Sequence, residues 1–232
     1  MCRRRRDGGT RTVAHEAEVR IALFDPPSRS TVRAGKLDLY VNLVIFVSCC
    51  LYPPFTADGT LPAGDYELTL DELRVCSLVT GNGVGSSTWD ASWRASLVEN
   101  FAMLVGQLRS VGVREIFADG SFVEDKDHPN DIDGYFVCDL RRLASGELQR
   151  ELNLLDPHKV WTWDPSERRP FRGYPKKQLP MWHHYRVELY PHFGQLSGIC
   201  DKFGNELEFP SAFRLSRRDG NPRGIIKIGE ST

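Results

Sequence analysis

Two apolar segments flank a polar stretch within residues 117–137, and this arrangement constrains the fold more than any other part of the chain. The sequence there is FADGSFVEDKDHPNDIDGYFV. Short apolar runs bounded by glycine, proline and aspartate are typical of β-strands. We therefore predict adjacent strands at Val113–Ala118 and Ile132–Val137, with Gly120 and Ser121 in the turn that leaves the first strand.

Asp131 and Asp133 are placed to bind a cation. They lie two residues apart, so in a β-strand their side chains point to the same face. Neighbouring carboxylates repel each other unless a cation lies between them, and Mg²⁺ is usually held by one or two carboxylates together with substrate phosphates. Gly120 and Ser121 allow the backbone to pass close to a phosphate. A metal-binding strand beside a phosphate-binding turn is what phosphoryl or nucleotidyl transfer requires.

This pattern resembles the active-site signature of the DNA polymerase β-like nucleotidyltransferase superfamily. In that signature an apolar strand is followed by Gly-Ser or Gly-Gly, a short spacer, and Asp-x-Asp or Asp-x-Glu on the next strand. Here nine residues separate Ser121 from Asp131. A broader similarity over residues 53–228, which includes PPFTADGTLPAGDYELTLDEL and YRVELYPHFG, is to small bacterial and phage-borne members discussed as toxin–antitoxin-like nucleotidyltransferases.

The resemblance also implies a third carboxylate on a later strand, beside the aspartate pair. Glu188 in HYRVELYPHF is the candidate, although the superfamily usually has aspartate there, and glutamate reaches one methylene further. An acid in an apolar strand is costly unless it is paired or binds a metal. The alternative for Glu188 is a salt bridge with Arg186 or with a more distant arginine.

The resemblance therefore assigns two sets of site residues. Asp131, Asp133 and Glu188 are the predicted catalytic residues and ligands of Mg²⁺ or Mn²⁺. The predicted phosphate-binding residues for a nucleoside triphosphate are Gly120, Ser121 and Lys126. The basic residues Arg214, Arg217, Arg218, Arg223 and Lys227 could hold phosphates or RNA, or form a solvated rim.

Two functions remain open at this point. The first is transfer of a nucleoside monophosphate to a hydroxyl of a protein, a tRNA or a small molecule. The second is a catalytically inactive nucleotidyltransferase fold that binds a partner protein or RNA, for example in a toxin–antitoxin or phage-related system, because a fold alone does not establish activity. Convergence of the three carboxyl groups in an open cleft favours catalysis, whereas a Glu188 that points away favours binding.

Composition limits the class of protein. A chain of 232 residues with 41% hydrophobic residues can form one globular domain, and a net charge of −1 gives no general attraction to nucleic acid or membrane. The six cysteines form no Cys-x-x-Cys pair, and we expect a cytoplasmic protein. The apolar run Leu39–Leu51 is shorter than the about 20 residues that span a bilayer. We predict a poorly ordered arm at residues 1–51, removable without unfolding the nucleotidyltransferase-like domain at residues 52–232.

The remaining pattern predicts an α+β fold with a small mixed sheet flanked by helices. A capping box at Thr69–Glu72 starts one helix, and Trp93, Leu97, Phe101, Leu104 and Leu108 form the apolar stripe of another, which ends at Gly112. The other predicted elements are a helix at Leu140–Leu155, an irregular loop at 156–178 with a possible strand at 160–163, a strand at Tyr185–Tyr190, a helix at Pro210–Ser216 and a strand at Gly224–Ile228.

Overall fold

The computed structural model of the protein describes residues 52–83, 85–174 and 176–230. The predicted arm at residues 1–51 lies outside these residues. The strands are β1 Gly64–Leu68, β2 Ile116–Asp119, β3 Ile132–Val137, β4 Val187–His192, β5 Leu196–Cys200, β6 Glu206–Glu208 and β7 Gly224–Ile228. The α-helices are α1 Leu70–Val75, α2 Ser77–Thr80, α3 Ala91–Ser110, α4 Leu140–Ala144, α5 Glu147–Leu155, α6 Pro180–Tyr185 and α7 Phe209–Phe213, and short 3₁₀ turns occupy Gly120–Val123 and Pro165–Glu167.

Five strands form a mixed sheet in the order β1-β7-β2-β3-β4, and β5 pairs with β6 in a separate two-stranded sheet. β1 is parallel to β7, β3 is parallel to β4, and β2 is antiparallel to both of its neighbours. The α+β prediction, with a small mixed sheet flanked by helices, is confirmed. None of the helices in the described ranges is long and apolar enough to cross a bilayer.

The predicted pairing of the two strands around the Gly-Ser turn is confirmed. β2 and β3 are antiparallel neighbours, and β3 has the predicted bounds. β2 begins three residues later than the predicted Val113 and extends to Asp119, so the acid that precedes Gly120 belongs to the strand. The chain then turns at once into the 3₁₀ segment that contains Gly120 and Ser121.

The predicted long helix corresponds to α3, and its apolar stripe faces the core. Asp90 caps its first turn by accepting a hydrogen bond from the backbone N–H of Trp93. Four of the five stripe residues are fully buried, and Trp93 packs partly buried against the same core. Gly112 follows the helix with φ +85°, a left-handed conformation that ends helices.

Three element predictions were wrong in part. The helix predicted at Leu140–Leu155 is two helices, because Gly146 adopts φ +70° between α4 and α5. The strand predicted from Tyr185 begins at Val187, because Pro180 starts a short helix that contains His183 and His184. Residues 160–163 form no strand, and the strands β1, β5 and β6 were not predicted.

Candidate functional site

Three acidic side chains form a row across adjacent strands. In the register of the sheet, Asp119 of β2 lies opposite Asp133 of β3, and Asp133 lies opposite Glu188 of β4. Residues directly opposite each other in neighbouring strands have side chains on the same face. Asp131 precedes β3, and all four acids line one cavity of about 670 Å³. The three carboxylates predicted from the sequence therefore line the same open cavity.

Burial and mutual repulsion make these carboxylates unfavourable as a set of free anions. Burial raises the pKa of Asp133, and the charge of Asp131 raises it further. Burial also raises the pKa of Asp131, against the hydrogen bond from Trp182, and the charge of Glu188 adds to the increase. The guanidinium of Arg217 acts in the opposite direction on Asp133. A bound cation would relieve the same repulsion.

Glu188 is buried and already accepts three hydrogen bonds. Its Oε1 accepts one from the backbone N–H of Leu179 at 2.9 Å and one from Arg168 Nη1 at 3.4 Å. Its Oε2 accepts one from the hydroxyl of Tyr190. The alternative considered for Glu188, a salt bridge with a distant arginine, is thus present, and its partner is Arg168. The metal-binding role of Glu188 stays a prediction.

Asp131 is fixed by a tryptophan that sequence reasoning did not single out. The indole Nε1 of Trp182, in α6, donates a hydrogen bond to Asp131 Oδ2 at 2.6 Å. Trp182 is fully buried, and the guanidinium of Arg186 lies 3.8 Å from the centre of its ring. Arg186, the near candidate partner of Glu188, therefore stacks on an aromatic ring.

Asp119 is the acid of the row that the sequence analysis missed. Its side chain is 1% exposed, and its Oδ2 accepts a hydrogen bond from Arg223 Nη2 at 2.6 Å. Its Oδ1 is buried and has no hydrogen-bond partner. Burial raises the pKa of Asp119 to about 7, against the opposing charge of Arg223. The sequence feature that could have identified Asp119 is its position at the end of an apolar strand, directly before the Gly-Ser pair.

The three predicted phosphate-binding residues also come together. Gly120, Ser121 and Lys126 line a smaller cavity of about 250 Å³. It shares with the larger cavity the residues Asp119, Asp133, Phe213, Arg217 and Arg223. Gly120 has φ +77°, and a Cβ at this position would lie 2.5 Å from Asp133 Oδ2. This position therefore requires glycine both for its backbone conformation and for the close approach of the Asp133 carboxylate.

The C-terminal basic residues divide into two groups. Arg217, Arg218 and Arg223 line the smaller cavity, whereas Arg214 pairs with Asp65 and Lys227 pairs with Glu67.

The charges beside the Gly-Ser turn differ in whether they are paired. Arg223 and Arg218 both pair with Glu124, at 2.7 Å and 2.8 Å. Within the described residues, the charged groups of Lys126 and Arg217 make no ion pair or hydrogen bond. Two unpaired cations beside a glycine-containing turn suit a phosphate ligand.

The family model described as Family of unknown function (DUF6932) matches residues 53–229. The chain belongs to this DUF6932 family. Comparisons of the chain with curated proteins and with solved structures find no match.

The carboxylates that line the larger cavity of this DUF6932 protein are chemically suited to bind a hard divalent cation. Carboxylates are the oxygen ligands that Mg²⁺ takes, and Asp119 contributes a buried oxygen that no hydrogen bond satisfies. As they stand, no three His, Cys, Asp or Glu side chains within residues 52–83, 85–174 and 176–230 are grouped to hold a metal ion. Three of these acids would have to lie closer together to hold one ion.

Proposed function

We propose that this protein is a metal-dependent nucleotidyltransferase that transfers a nucleoside monophosphate from a nucleoside triphosphate to an acceptor hydroxyl. The observation that carries the proposal is that two cavities meet at a shared wall, which includes Asp119, Asp133 and Arg217. One cavity contains the acids of the row, and the other contains the Gly-Ser turn with unpaired cations. These are the two parts that the sequence resemblance associates with nucleotidyl transfer.

The chain's own residues have separate tasks in this reaction. Ser121, Lys126 and Arg217 would bind the β- and γ-phosphates, and Asp131 and Asp133 would hold the metal ion. A bound Mg²⁺ or Mn²⁺ supplies Lewis acidity at the phosphate oxygens and lowers the pKa of the acceptor hydroxyl. The acceptor oxygen attacks the α-phosphorus, the bond to the β-phosphate breaks, pyrophosphate leaves, and the hydroxyl proton passes to water.

The larger cavity leaves room for an acceptor on the side away from the Gly-Ser turn. There it is lined by Lys176, Lys177, Tyr190 and Ser197. Together with the sequence resemblance, this supports an acceptor hydroxyl on a protein, a tRNA or a small molecule. A cytoplasmic location and a toxin–antitoxin-like context are supported by the sequence alone.

A second candidate function is a binding module that keeps the fold without turnover. The observation that favours it is the state of Glu188, whose carboxylate is occupied by Arg168, Tyr190 and the backbone of Leu179. In this alternative, the cavities bind a nucleotide, an RNA or a partner protein without transferring a group.

Label transfer separates the two functions. The purified protein is incubated with each α-labelled nucleoside triphosphate, Mg²⁺ or Mn²⁺, and a cell extract that supplies acceptors. We expect labelled product with the native chain and none with Asp133→Asn, because this substitution removes a charge that holds the metal. Asp125→Asn is the control, since Asp125 is an exposed acid of the loop before β3 and does not line either cavity.

Two results would contradict the proposed nucleotidyltransferase activity. Equal label transfer by Asp133→Asn and the native protein would exclude catalysis at this site. Absence of transfer with all four nucleotides, despite nucleotide binding detected by calorimetry, would favour the binding module.

A further inference from the structure

Glu124 places a negative charge in the smaller cavity, where the proposed function puts phosphates. It lines that cavity together with the cations Lys126 and Arg217. Its Oε2 accepts a hydrogen bond from Arg218 Nη2 at 2.8 Å, and its Oε1 accepts one from Arg223 Nη1 at 2.7 Å. A guanidinium donates to carboxylate oxygens and to phosphate oxygens alike. Glu124 therefore holds two guanidinium groups in the way that a bound phosphate would.

The two arginines differ in how firmly they are held. The side chain of Arg223 is 7% exposed and also pairs with Asp119, so it is fixed in the interior by two carboxylates. The side chain of Arg218 is 64% exposed, and in the part of the chain that the structure describes it pairs with Glu124 alone. Exposed ion pairs contribute little to stability, so Arg218 can exchange Glu124 for another anion at a small cost in free energy.

Glu124 does not share this freedom, because its backbone is fixed on both sides. It pairs with Thr60 in an isolated antiparallel β-bridge, and its carbonyl accepts a hydrogen bond from the buried Arg94 at 3.0 Å. The ion pair with Arg223 holds its side chain. When Arg218 turns away, the Glu124 carboxylate therefore stays in the cavity, where its charge repels an entering anion.

We propose that Arg218 binds the terminal phosphate of a polyphosphate ligand and that Glu124 competes with this phosphate for Arg218. Arg218 leaves Glu124 and donates to the phosphate oxygens, while Glu124 stays paired with Arg223. Lys126 and Arg217 line the same cavity and contact the rest of the polyphosphate. The inference rests on the proposed function, in that the ligand is the triphosphate of its nucleotide. It adds a phosphate-binding residue to that site and a carboxylate that weakens binding there.

Calorimetric titration with inorganic tripolyphosphate, in the absence of a metal ion, tests the competition. Glu124→Gln should bind tripolyphosphate about tenfold more tightly than the native chain, because the substitution removes a repelling charge and releases Arg218. Arg218→Gln should bind it about tenfold more weakly, since a hydrogen bond to a charged group is typically worth about that factor or more.

Asp125→Asn is the matched control for charge. Asp125 is the next acid along the chain, is exposed and does not line the smaller cavity. Its loss changes the net charge by the same amount, and solvent and salt screen its effect, so its affinity should stay within about twofold of the native value. An equal gain in Asp125→Asn and Glu124→Gln would reveal a general effect of net charge and would overturn the competition.

The melting temperature of each variant separates competition from a structural role of Glu124. A Glu124 that only positions Arg223 predicts a lower melting temperature together with weaker tripolyphosphate binding, which is the opposite sign. If Glu124→Gln does not fold, Glu124→Asp keeps a charge for Arg223 and shortens the side chain by one methylene. It then holds Arg218 less closely, and tripolyphosphate should bind more tightly than to the native chain.

The outcomes separate the inference from the proposed function. Unchanged or weaker tripolyphosphate binding by a folded Glu124 variant, or native affinity in Arg218→Gln, overturns the inference. Either result leaves the nucleotidyltransferase proposal standing, because Lys126 and Arg217 remain available to the triphosphate. The expected affinities without any label transfer would support the inference and contradict the nucleotidyltransferase. A native protein that binds no tripolyphosphate overturns the inference.

Discussion

At the scale of single residues, the indole of Trp182 controls how Asp131 faces the cavity. The Trp182 N–H is the side-chain donor that holds Asp131 Oδ2, and it lowers the pKa of that carboxyl. We expect Trp182→Phe to keep most of the packing with Phe171 and Tyr174 while raising the pKa of Asp131 further. Outer hydrogen bonds of metal ligands are typically worth about 10–100-fold in affinity, so Mn²⁺ binding measured by calorimetry should weaken by about that factor.

Trp163→Phe is the control for this substitution. The indole N–H of Trp163 donates to the backbone carbonyl of Leu189 at 2.8 Å, and Trp163 packs, partly buried, against the core. Both variants lose one N–H and some buried area, so both should melt at lower temperatures. Equal Mn²⁺ affinities in the two variants would show that Trp182 does not position Asp131.

At the scale of secondary-structure elements, α3 holds the loop that joins the Gly-Ser turn to Asp131. Arg94 of α3 is fully buried, and its guanidinium lies 3.8 Å from the centre of the Trp89 ring. Burial lowers its pKa to about 10, so it stays charged at neutral pH. It donates to four backbone carbonyls, those of Leu78 at 2.7 Å, Phe122 at 2.8 Å, Glu124 at 3.0 Å and Lys126 at 2.6 Å.

Removal of the guanidinium should loosen this loop. Arg94→Met leaves four carbonyls without their donor, and each unsatisfied buried acceptor costs about 1–3 kcal/mol, so we expect a loss of at least about 3 kcal/mol in the free energy of unfolding. Urea denaturation measures the loss, and hydrogen exchange should be faster at the amides of residues 122–127. Arg109→Met, which removes a donor to a single carbonyl at Gly229, should cost less. Unchanged exchange in the loop of Arg94→Met would contradict the role given to Arg94.

At the scale of the whole molecule, the row of acids makes stability depend on pH. Carboxyls whose pKa is raised on folding bind more protons in the folded than in the unfolded state at intermediate pH. The contribution of these carboxyls to stability is therefore largest below the unfolded pKa of about 3.9 and is lost as pH rises through their folded pKa values. For Asp119 the folded pKa is about 7, and the pKa values of Asp131 and Asp133 are raised as well. We expect the metal-free protein to lose melting temperature between pH 5 and pH 8.

One variant and added Mn²⁺ serve as controls for the pH dependence of the melting temperature. Asp133→Asn should reduce this pH dependence, because asparagine does not titrate. Loss of the Asp133 carboxylate also lessens the repulsion at Asp131. In the proposed function the metal ligands are deprotonated carboxylates, so the stabilising effect of Mn²⁺ should grow over the same pH range. If the native protein and Asp133→Asn lose the same melting temperature between pH 5 and pH 8, the pKa of Asp133 is not raised on folding.

The sequence predicted the elements whose signals are local. The Asp-x-Asp strand, the helix with the apolar stripe and the final strand at Gly224–Ile228 were all found where periodicity and turn residues indicated. β1 was missed because Gly64–Leu68 follows a loop rich in proline and glycine, and its pairing is with β7, far along the chain. α6 was missed because its histidines and aromatic residues have no strong helical period.

For this protein, the sequence by itself determined the α+β class, the pair of strands around Gly120 and the carboxylates at Asp131 and Asp133. These depend on backbone geometry over a few residues, which composition and spacing encode directly. Only the tertiary structure decided which side chains meet them. The pair Asp119–Arg223 joins residues 104 positions apart, and the pair Trp182–Asp131 joins residues 51 apart. Such partners are selected by the packing of distant segments against one sheet, and no local pattern specifies that packing.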